Sequence, residues 1–201
     1  MSIRNEERIL DATRQCVLAF GVRRTTLTEI ARRARVSRPT IYRRWGDVST
    51  LVADLQTREV GRLLAEIHDQ RDRHGSGRER LVAQVLAVVG ALREDPLFRK
   101  IHDVDPEVVM TYVLDRLGAG QRAALEFLRE AILDGQADGS IRLGDPGVLA
   151  HMTLLTAQSV VFSGDTIVES VPPDQQLTEL AGLLHGYLAV QPKERAVDTG
   201  R

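Results

Sequence analysis

Residues 38–44 hold an unusually dense set of side chains that can bind nucleic acid: Arg38, Thr40, Tyr42, Arg43 and Arg44. An arginine guanidinium pairs with the O6/N7 edge of guanine, and a threonine methyl group packs against that of thymine. Tyrosine and arginine also bind backbone phosphates. A structural helix on the surface could share the apolar pattern around this segment, but it would not need this polar face. The segment therefore predicts a helix that reads DNA.

Two short helices joined by a tight turn must position these side chains. The apolar residues here follow the spacing of a helix-turn-helix: Ile30, Ala34, Val36 and Ile41. In that motif the second helix enters the major groove of DNA. Ala31 is small enough for the two helices to cross closely. We expect the first helix at residues 28–34, the turn at 35–36 and the second helix after Ser37, a favourable N-cap residue.

Charge is unevenly distributed along the chain, although the 201 residues have a net charge of only -1. Residues 1–45 contain eleven Arg and four acidic residues, a net charge of +7. The remaining residues contain 16 basic and 24 acidic side chains, a net charge of -8. A basic segment followed by an acidic one favours a phosphate-rich partner that is contacted at one end only. A solvated charged face is the alternative that charge alone leaves open.

The rest of the chain has the apolar periodicity of helices and lacks the alternation of strands. We therefore predict an all-α protein with a three-helix DNA-binding head at residues 1–46 and a helical body at residues 47–201. Gly21 is expected to end the first helix, and Asp47 to cap a long fourth helix. The other predicted helices lie at residues 78–93, from 106 onward, and at 121–136, 146–162 and 173–190.

Several classes of function find no support in the sequence. No apolar run approaches the ~18 residues of a membrane span, and no signal-peptide core follows the charged N-terminus, so we expect a cytoplasmic protein. The single cysteine, Cys16, can form no internal disulfide. Residues 97–105 are predicted to be irregular, with a solvated loop rather than a metal site at His102, Asp103 and Asp105. Without a glycine-rich phosphate loop or a nucleophile elbow, we predict no enzyme, no metal and no cofactor.

The segment around the predicted motif resembles the TetR family of one-component transcriptional regulators. The resemblance rests on the sequence TTLTEIA at residues 25–31, on Val36 and Ser37, and on Thr40, Ile41, Tyr42 and Trp45. It is dense over residues 7–51, and beyond them it extends only to length and helix layout. The resemblance implies a head that binds a palindromic operator, and a body that dimerises and holds a small-molecule effector.

The resemblance also implies roles for the residues that match the motif. Thr26, at the start of the second helix, and Tyr42, on the recognition helix, are expected to contact backbone phosphates. The first turn of the recognition helix lies deepest in the groove, whereas Arg43 and Arg44 are expected to clamp phosphates. The predicted DNA-contacting residues are therefore Thr26, Ser37, Arg38, Pro39, Thr40, Tyr42, Arg43 and Arg44.

Three positions depart from the family pattern. Arg35 stands where the turn usually has Gly, so it must adopt a left-handed conformation at a cost of ~1 kcal/mol or reshape the turn. Trp45 replaces the usual Phe under the recognition helix and stays apolar. Val48 replaces a usual Lys and removes one phosphate-binding ammonium, although free N–H groups at the start of the fourth helix can still face a phosphate.

Apolar residues in the body predict an effector pocket and a dimer interface. The family holds its ligand between the fourth and eighth helices, where the candidates are Phe98, His102, Met110, Tyr112, Phe127, Met152 and Thr156. Ordinary core packing is the alternative for these residues. Small residues on the last two helices allow close helix approach. The predicted interface residues there, which could also face the core of the body itself, are Leu149, Thr153, Val160, Leu177, Leu180, Leu184 and Leu188.

The sequence thus predicts a sequence-specific DNA-binding transcriptional regulator, a homodimeric repressor that a small apolar ligand releases from its operator. A coupling of about 1–3 kcal/mol between the two sites is typical of such regulation, and the fourth helix is expected to transmit it. The alternative is a DNA-binding regulator whose body is a protein-interaction module. Architectural binding without sequence preference is disfavoured, because it needs no compact recognition helix.

Overall fold

The computed structural model describes residues 3–70, 74–110 and 117–190, and these residues form ten α-helices and no strand. The head contains α1 (Ile3–Phe20), α2 (Leu27–Ala34) and α3 (Arg38–Tyr42). The helix α4 (Val48–Asp69) connects it to the body, which contains α5 (Gly77–Glu94), α6 (Pro96–Val104), α7 (Pro106–Met110), α8 (Ala119–Ala137), α9 (Pro146–Ser163) and α10 (Pro173–Leu188). A short 3-10 turn, Gly164–Ile167, follows α9. The all-α prediction is confirmed.

Short polar side chains fix where several helices begin. At the start of α4, the Asp47 carboxylate accepts a hydrogen bond from the Thr50 N–H at 2.7 Å. At the start of α5, Ser76 and Glu79 form a reciprocal capping box. Such caps provide acceptors for first-turn N–H groups that have no partner within the helix. Both helices therefore begin close to where the sequence predicts them.

The prediction of an irregular segment at residues 97–105 is wrong, because α6 occupies most of it. The Asp95 carboxylate accepts hydrogen bonds from the N–H groups of Leu97 (2.7 Å) and Phe98 (3.3 Å), and Pro96 lies in the first turn. An acidic N-cap followed by proline is a start signal for a helix. Asp95 and Pro96 also mark the end of the preceding helix α5. In the sequence they were interpreted only as this end, and the start of α6 was missed.

Two apolar cores hold the chain together. The first is built by α1, α2 and α3, and it also contains residues of α4 and α6: Leu51, Val52, Leu55, Leu97 and Ile101. The second is formed mainly by α5, α8, α9 and α10. A domain boundary between residues 46 and 47 stays a prediction, and the first core crosses it. A displacement of α4 or α6 therefore reaches the head through direct packing.

Candidate nucleic-acid interface and body cavity

The turn between α2 and α3 places Arg35 in the left-handed conformation, one of the two outcomes that the sequence allows. Its φ and ψ are 52° and 46°, and it is the only non-glycine residue with a positive φ in the described ranges. The N–H groups of Arg35 and Val36 donate to the carbonyls of Arg32 (3.3 Å) and Ala31 (3.1 Å). These bonds form a Schellman motif. The turn thus keeps an ordinary hydrogen-bonding pattern without glycine.

The recognition helix α3 presents polar side chains outward from a buried apolar base. Ile41 and Trp45 are fully buried and attach the helix to the head core. The exposed residues are Arg38, Pro39, Tyr42, Arg43 and Arg44. Among the residues that the structure describes, none forms a hydrogen bond or ion pair with the guanidinium of Arg38 or Arg43. Both groups can therefore bind bases or phosphates without breaking an internal contact.

Arg44 differs from its neighbours because it is engaged within the head. Its guanidinium pairs with Glu6 of α1 at 2.5 Å, and it lies 5.2 Å from the centre of the Trp45 ring. A phosphate contact by Arg44 requires the phosphate to displace the Glu6 carboxylate. The predicted phosphate clamp at this position is therefore weaker than the one at Arg43.

The hydroxyl groups at the starts of α2 and α3 have different partners. Thr26 caps α2, since its oxygen accepts the Glu29 N–H at 3.2 Å, and its own O–H remains able to donate to a phosphate. Ser37 occupies the predicted N-cap position of α3, but its side chain makes no capping bond. It pairs instead with the Thr40 hydroxyl at 2.7 Å. The Ser37 and Thr40 hydroxyls therefore lie together at the N-terminal end of the recognition helix.

The start of α4 is poorly suited to the phosphate contact expected from the sequence. Val48 packs against the head core. The hydrogen bond from the Thr50 N–H holds the pKa of the Asp47 carboxyl below its ordinary value, so this group is charged at neutral pH. A carboxylate beside the first turn of the helix would repel a phosphate. A phosphate contact by the remaining N–H groups of the first turn stays a prediction, and it would have to overcome this repulsion.

A cavity of about 380 Å³ lies in the body, with walls supplied by α4, α5, α6, α8 and α9. Its size falls within the range of pockets that hold small organic molecules. The surface that lines the cavity is mainly apolar, and the apolar residues that contribute to it are Ala53, Val60, Leu92, Phe98, Ile101, Leu117, Ala119, Val161 and Phe162. The cavity therefore favours a ligand with a substantial apolar surface.

Two predicted pocket residues, Phe98 and His102, line this cavity. The side chain of Met110, and Tyr112 as a whole, lie outside the described residues. The prediction was wrong for Phe127, Met152 and Thr156, which are not among the lining residues. Helical spacing identified an apolar face in each case, but it did not identify the neighbour of that face.

The three misplaced residues lie in other environments. Phe127 contacts the His68 ring edge to face, with ring centres 6.3 Å apart, and it borders a separate cavity of about 60 Å³. Met152 is exposed on α9. The Thr156 hydroxyl donates to the Met152 carbonyl at 2.8 Å. None of these contacts gives the three residues access to the larger cavity.

The α4 wall of the cavity was missed in the sequence. Ala53, Asp54, Gln56, Thr57 and Val60 line the cavity, while the opposite side of the same helix packs into the head core. Positions 53, 57 and 60 have the i, i+4, i+7 spacing of one helical face. That spacing was the available signal. Because α4 separates the head core from the cavity, both surfaces belong to one rigid element.

Several polar and charged groups around the cavity are paired with one another. Arg93 donates to Asp165 at 2.7 Å, and His102 contacts Asp103 at 3.2 Å. Arg99 is exposed, and within the described ranges its guanidinium has no hydrogen-bonding partner. Paired charges need no compensation from a ligand, whereas burying an unpaired charge is costly. The lining therefore suits an apolar ligand, with room for one anionic group beside Arg99.

A buried carboxylate joins the cavity wall to the head. Asp105, at the C-terminal end of α6, is fully buried. It accepts hydrogen bonds from the backbone N–H groups of Val22 (2.6 Å) and Arg23 (3.2 Å) in the turn after α1. Gly21 ends α1 with a φ of +80°, and a Cβ there would lie 3.0 Å from the Asp105 carboxylate. The predicted solvated loop at Asp105 is therefore wrong.

An arginine of α4 fixes this helix to α1. The Arg58 side chain is 8% exposed and pairs with Glu7 (3.1 Å) and Asp11 (2.7 Å) of α1. It also pairs with Glu59 of its own helix at 2.6 Å, and Arg62 forms a further pair with Glu7. Several ion pairs must therefore rearrange if α4 slides along α1.

Comparison with known proteins identifies the family. Residues 9–55 match the model for bacterial regulatory proteins of the tetR family. The chain is 43% identical over 182 residues to an HTH-type transcriptional regulator of Mycobacterium tuberculosis (strain ATCC 25618 / H37Rv), covering 90% of this chain and 93% of that relative. The chain belongs to the TetR family. It is therefore a DNA-binding transcriptional regulator with an N-terminal helix-turn-helix, and not an enzyme.

Other relatives of this TetR-family regulator are more distant. The HTH-type transcriptional regulator YhgD of Bacillus subtilis (strain 168) is 24% identical over 188 residues, 94% of this chain and 96% of that relative. The solved structure of the R. erythropolis transcriptional repressor QsdR is similar with a TM-score of 0.73 at 16% identity, covering 96% of this chain and 98% of that one.

Two further similar structures contain ligands. RolR in complex with resorcinol has a TM-score of 0.71 at 14% identity and covers 94% of this chain and 89% of its own. FadR from Bacillus subtilis in complex with stearoyl-CoA has a TM-score of 0.66 at 16% identity, covering 90% and 98%. At these identities the similarity establishes the fold.

The structure corrects the residues predicted for the dimer interface. Leu149, Thr153, Leu180, Leu184 and Leu188 are buried in the core of the regulator's own body. The partly buried Val160 and Leu177 pack against the same core. A partner could not contact the buried side chains without unfolding the body. The exposed apolar residues of these two helices are instead Val148, Met152, Leu155 and Leu183.

Proposed function

We propose that this TetR-family regulator is a homodimeric repressor that leaves its operator when a small, mainly apolar ligand fills the body cavity. The position of α4 carries the proposal, since one face of this helix lines the cavity and another packs into the head core. A ligand that displaces α4 therefore changes the orientation of the recognition helix. RolR and FadR, which share the fold, were solved with resorcinol and stearoyl-CoA, so this architecture holds ligands of very different sizes.

DNA recognition is assigned to the exposed groups of α3 and the start of α2. Arg38 lies in the first turn of α3 and is proposed to pair with guanine, because a bidentate guanidinium contact reads that base. Arg43, Thr26 and Tyr42 are proposed to bind phosphates. Ser37, Pro39 and Thr40 then lie at the floor of the major groove. Arg44 can bind a phosphate only after its ion pair with Glu6 is broken.

An uncovered apolar surface on α9 and α10 supports the homodimer. Val148, Met152 and Leu155 follow one another on α9, and they are 58%, 46% and 58% exposed. On α10, Leu183 is 63% exposed, and a Cβ added at the neighbouring Gly182 would meet no atom within 4 Å. A second copy placed on this surface by a two-fold axis would bury all of these groups. Paired heads could then read two half-sites about 34 Å apart.

The same surface explains an unexpected property of α9. Residues 146–167 are long and apolar enough to cross a membrane by length and composition, although no such segment is expected from the sequence. The helix is apolar on two sides, because one side packs into the body core and the other carries the proposed interface. We accordingly place the repressor in the cytoplasm, with its operator.

Operator binding is tested by selecting binding sites from random duplex DNA with the purified full-length protein. We expect a palindromic site, a steep loss of affinity with salt, and a loss of about 10³-fold or more when the site is shuffled. Arg38→Ala should relax the preference at one base position in each half-site, whereas Tyr42→Phe should weaken all sequences alike. Equal affinity for selected and shuffled DNA would contradict the proposal.

Ligand response is tested by a thermal-shift screen of small apolar compounds, followed by operator binding in the presence of each stabilising compound. A compound that stabilises the protein should lower operator affinity. Stabilising compounds that leave operator affinity unchanged would favour the alternative, in which the body is a protein-interaction module.

A further inference from the structure

Trp45 connects the recognition helix to the rest of the protein. It follows α3 closely, and its backbone N–H donates to the Ile41 carbonyl at 2.9 Å. Its side chain is fully buried and packs with Ile41 in the head core. Any shift of the Trp45 ring therefore moves the base on which α3 rests.

The indole N–H of this residue has a charged acceptor on α4. It donates to the Asp54 carboxylate at 2.8 Å. A buried indole N–H needs an acceptor, because leaving it unpaired costs free energy. A phenylalanine at this position could not make the bond, because its ring has no N–H. The tryptophan thus adds a polar contact between α3 and α4 to the apolar one.

The acceptor is also part of the body cavity. Asp54 lines the cavity together with Ala53, Gln56 and Thr57 on the same helix, and its side chain is 44% exposed. The residue that accepts the Trp45 indole N–H therefore also borders the cavity. An occupant that displaces α4, or that draws the carboxylate toward itself, must break or reorient the bond to Trp45.

The Arg44 guanidinium lies close to both Asp54 and Trp45. The Arg44 guanidinium lies 4.0 Å from the Asp54 carboxylate and 5.2 Å from the centre of the Trp45 ring. It also pairs with Glu6 at 2.5 Å. Loss of the Asp54 contact therefore changes the surroundings of two consecutive residues at the end of the recognition helix.

We propose that Asp54 is the positioning residue through which an occupant of the body cavity acts on the recognition helix, by way of the Trp45 indole. The inference rests on the proposed ligand response, and it adds the residue pair that carries the signal. A hydrogen bond to a charged group corresponds to about a 10- to 100-fold change in an equilibrium constant. This range is sufficient for an allosteric coupling of ordinary size.

The occupant can be supplied covalently, so that no natural ligand is needed. Val161 lines the cavity on α9, and Val161→Cys places a thiol there with little change in volume. The native Cys16 is fully buried, and burial raises the pKa of its thiol, so it should not compete for the reagent. Benzyl methanethiosulfonate then attaches a benzylthio group to the introduced thiol through a disulfide, with methanesulfinate as the leaving group. Dithiothreitol removes it again.

Operator affinity is measured before labelling, after labelling and after reduction, with mass spectrometry to count attached groups. In the Val161→Cys background we expect labelling to weaken operator binding about 10-fold or more. The labelling ratio is the operator affinity before labelling divided by the operator affinity after labelling. Adding Trp45→Phe should reduce this ratio to about 3-fold or less. Trp45→Phe keeps an aromatic ring in the head core and removes the indole N–H, so the fold should be kept. Thermal unfolding of each variant checks this.

Substitutions of the acceptor provide a second readout. Asp54→Ala should reduce the labelling ratio as Trp45→Phe does, and the double variant should behave like either single one. Asp54→Asn, which keeps an acceptor oxygen, should restore most of the ratio. Gln56→Ala is the matched control, since Gln56 lines the cavity from the same helix, and it should leave the ratio unchanged. Trp45 is the only tryptophan, so its emission should change on labelling and in Asp54→Ala.

The outcomes separate the two proposals. An equal loss of operator affinity with and without the Trp45→Phe substitution would overturn the role of Asp54 and leave the ligand response intact. No loss in either background would overturn the ligand response and the inference together. A loss confined to the background that keeps Trp45, with unchanged behaviour in Gln56→Ala, supports both.

Discussion

The strongest test of the head–body contact is the removal of the Asp105 carboxylate. In Asp105→Ala the Val22 N–H, whose 2.6 Å bond is buried, loses its acceptor, and so does the partly buried Arg23 N–H at 3.2 Å. A hydrogen bond to a charged group contributes about 1.5–3 kcal/mol. Because the second bond is longer and partly exposed, we expect a total loss of about 3 kcal/mol in the free energy of unfolding of the head. Asp105→Asn should lose about half as much, since its amide offers one acceptor oxygen.

Urea denaturation followed by Trp45 emission measures this loss, because Trp45 lies in the head core. The matched control is Asp103→Ala, two residues earlier on α6, where the side chain is 64% exposed. The control should change stability by no more than about 0.5 kcal/mol. A cost for Asp105→Ala as small as that for Asp103→Ala would refute the proposed contact. So would an equal cost for Asp105→Asn and Asp105→Ala, since the bonds to the turn would then not be what Asp105 contributes.

Two further predictions concern the interface and the charge on α2. Leu155→Asp should convert the proposed dimer to monomers at micromolar concentration in sedimentation experiments. Each buried leucine contributes about 1.5–3 kcal/mol, and the two-fold axis places one Leu155 from each protomer in the interface. The same change at Leu133, exposed on α8, should leave the dimer intact. Hydrogen bonds from Arg32 and then Arg33 lower the pKa of Glu29 to about 2. Since the folded pKa is depressed, the stabilisation is complete above the unfolded value of about 4.3 and is lost as pH falls toward 2. A carboxyl titration by NMR with its midpoint near 4 would contradict these ion pairs.

The sequence located the head well because its signals are local. The spacing of Ile30, Ala34 and Ile41 identified two helices, and the structure buries all three. The left-handed Arg35 was also foreseeable, because the turn allows few alternatives. Local signals are sufficient where neighbouring residues determine one another through a single turn or cap.

Longer-range placement was not foreseeable in the same way. On α9 the predicted interface residue Leu149 is buried, while the adjacent Val148 is exposed. Because this helix is apolar on two sides, its periodicity could not distinguish the side facing the core from the side facing solvent. The cavity wall on α4 was missed although positions 53, 57 and 60 share one helical face, because a second apolar stripe on the same helix packs into the head core.

The sequence by itself determined the helical class, the helix-turn-helix and the exposed cations of α3, because these depend on spacing within a few helical turns. Only the tertiary structure decided that Asp105 is buried against the turn after α1, and that Asp54 joins Trp45 to the cavity. Each of these contacts depends on how separate helices pack. The sequence around a polar residue does not indicate which distant group it will bind in the folded protein. The helices of the head were therefore predictable from the sequence, whereas its connection to the body was not.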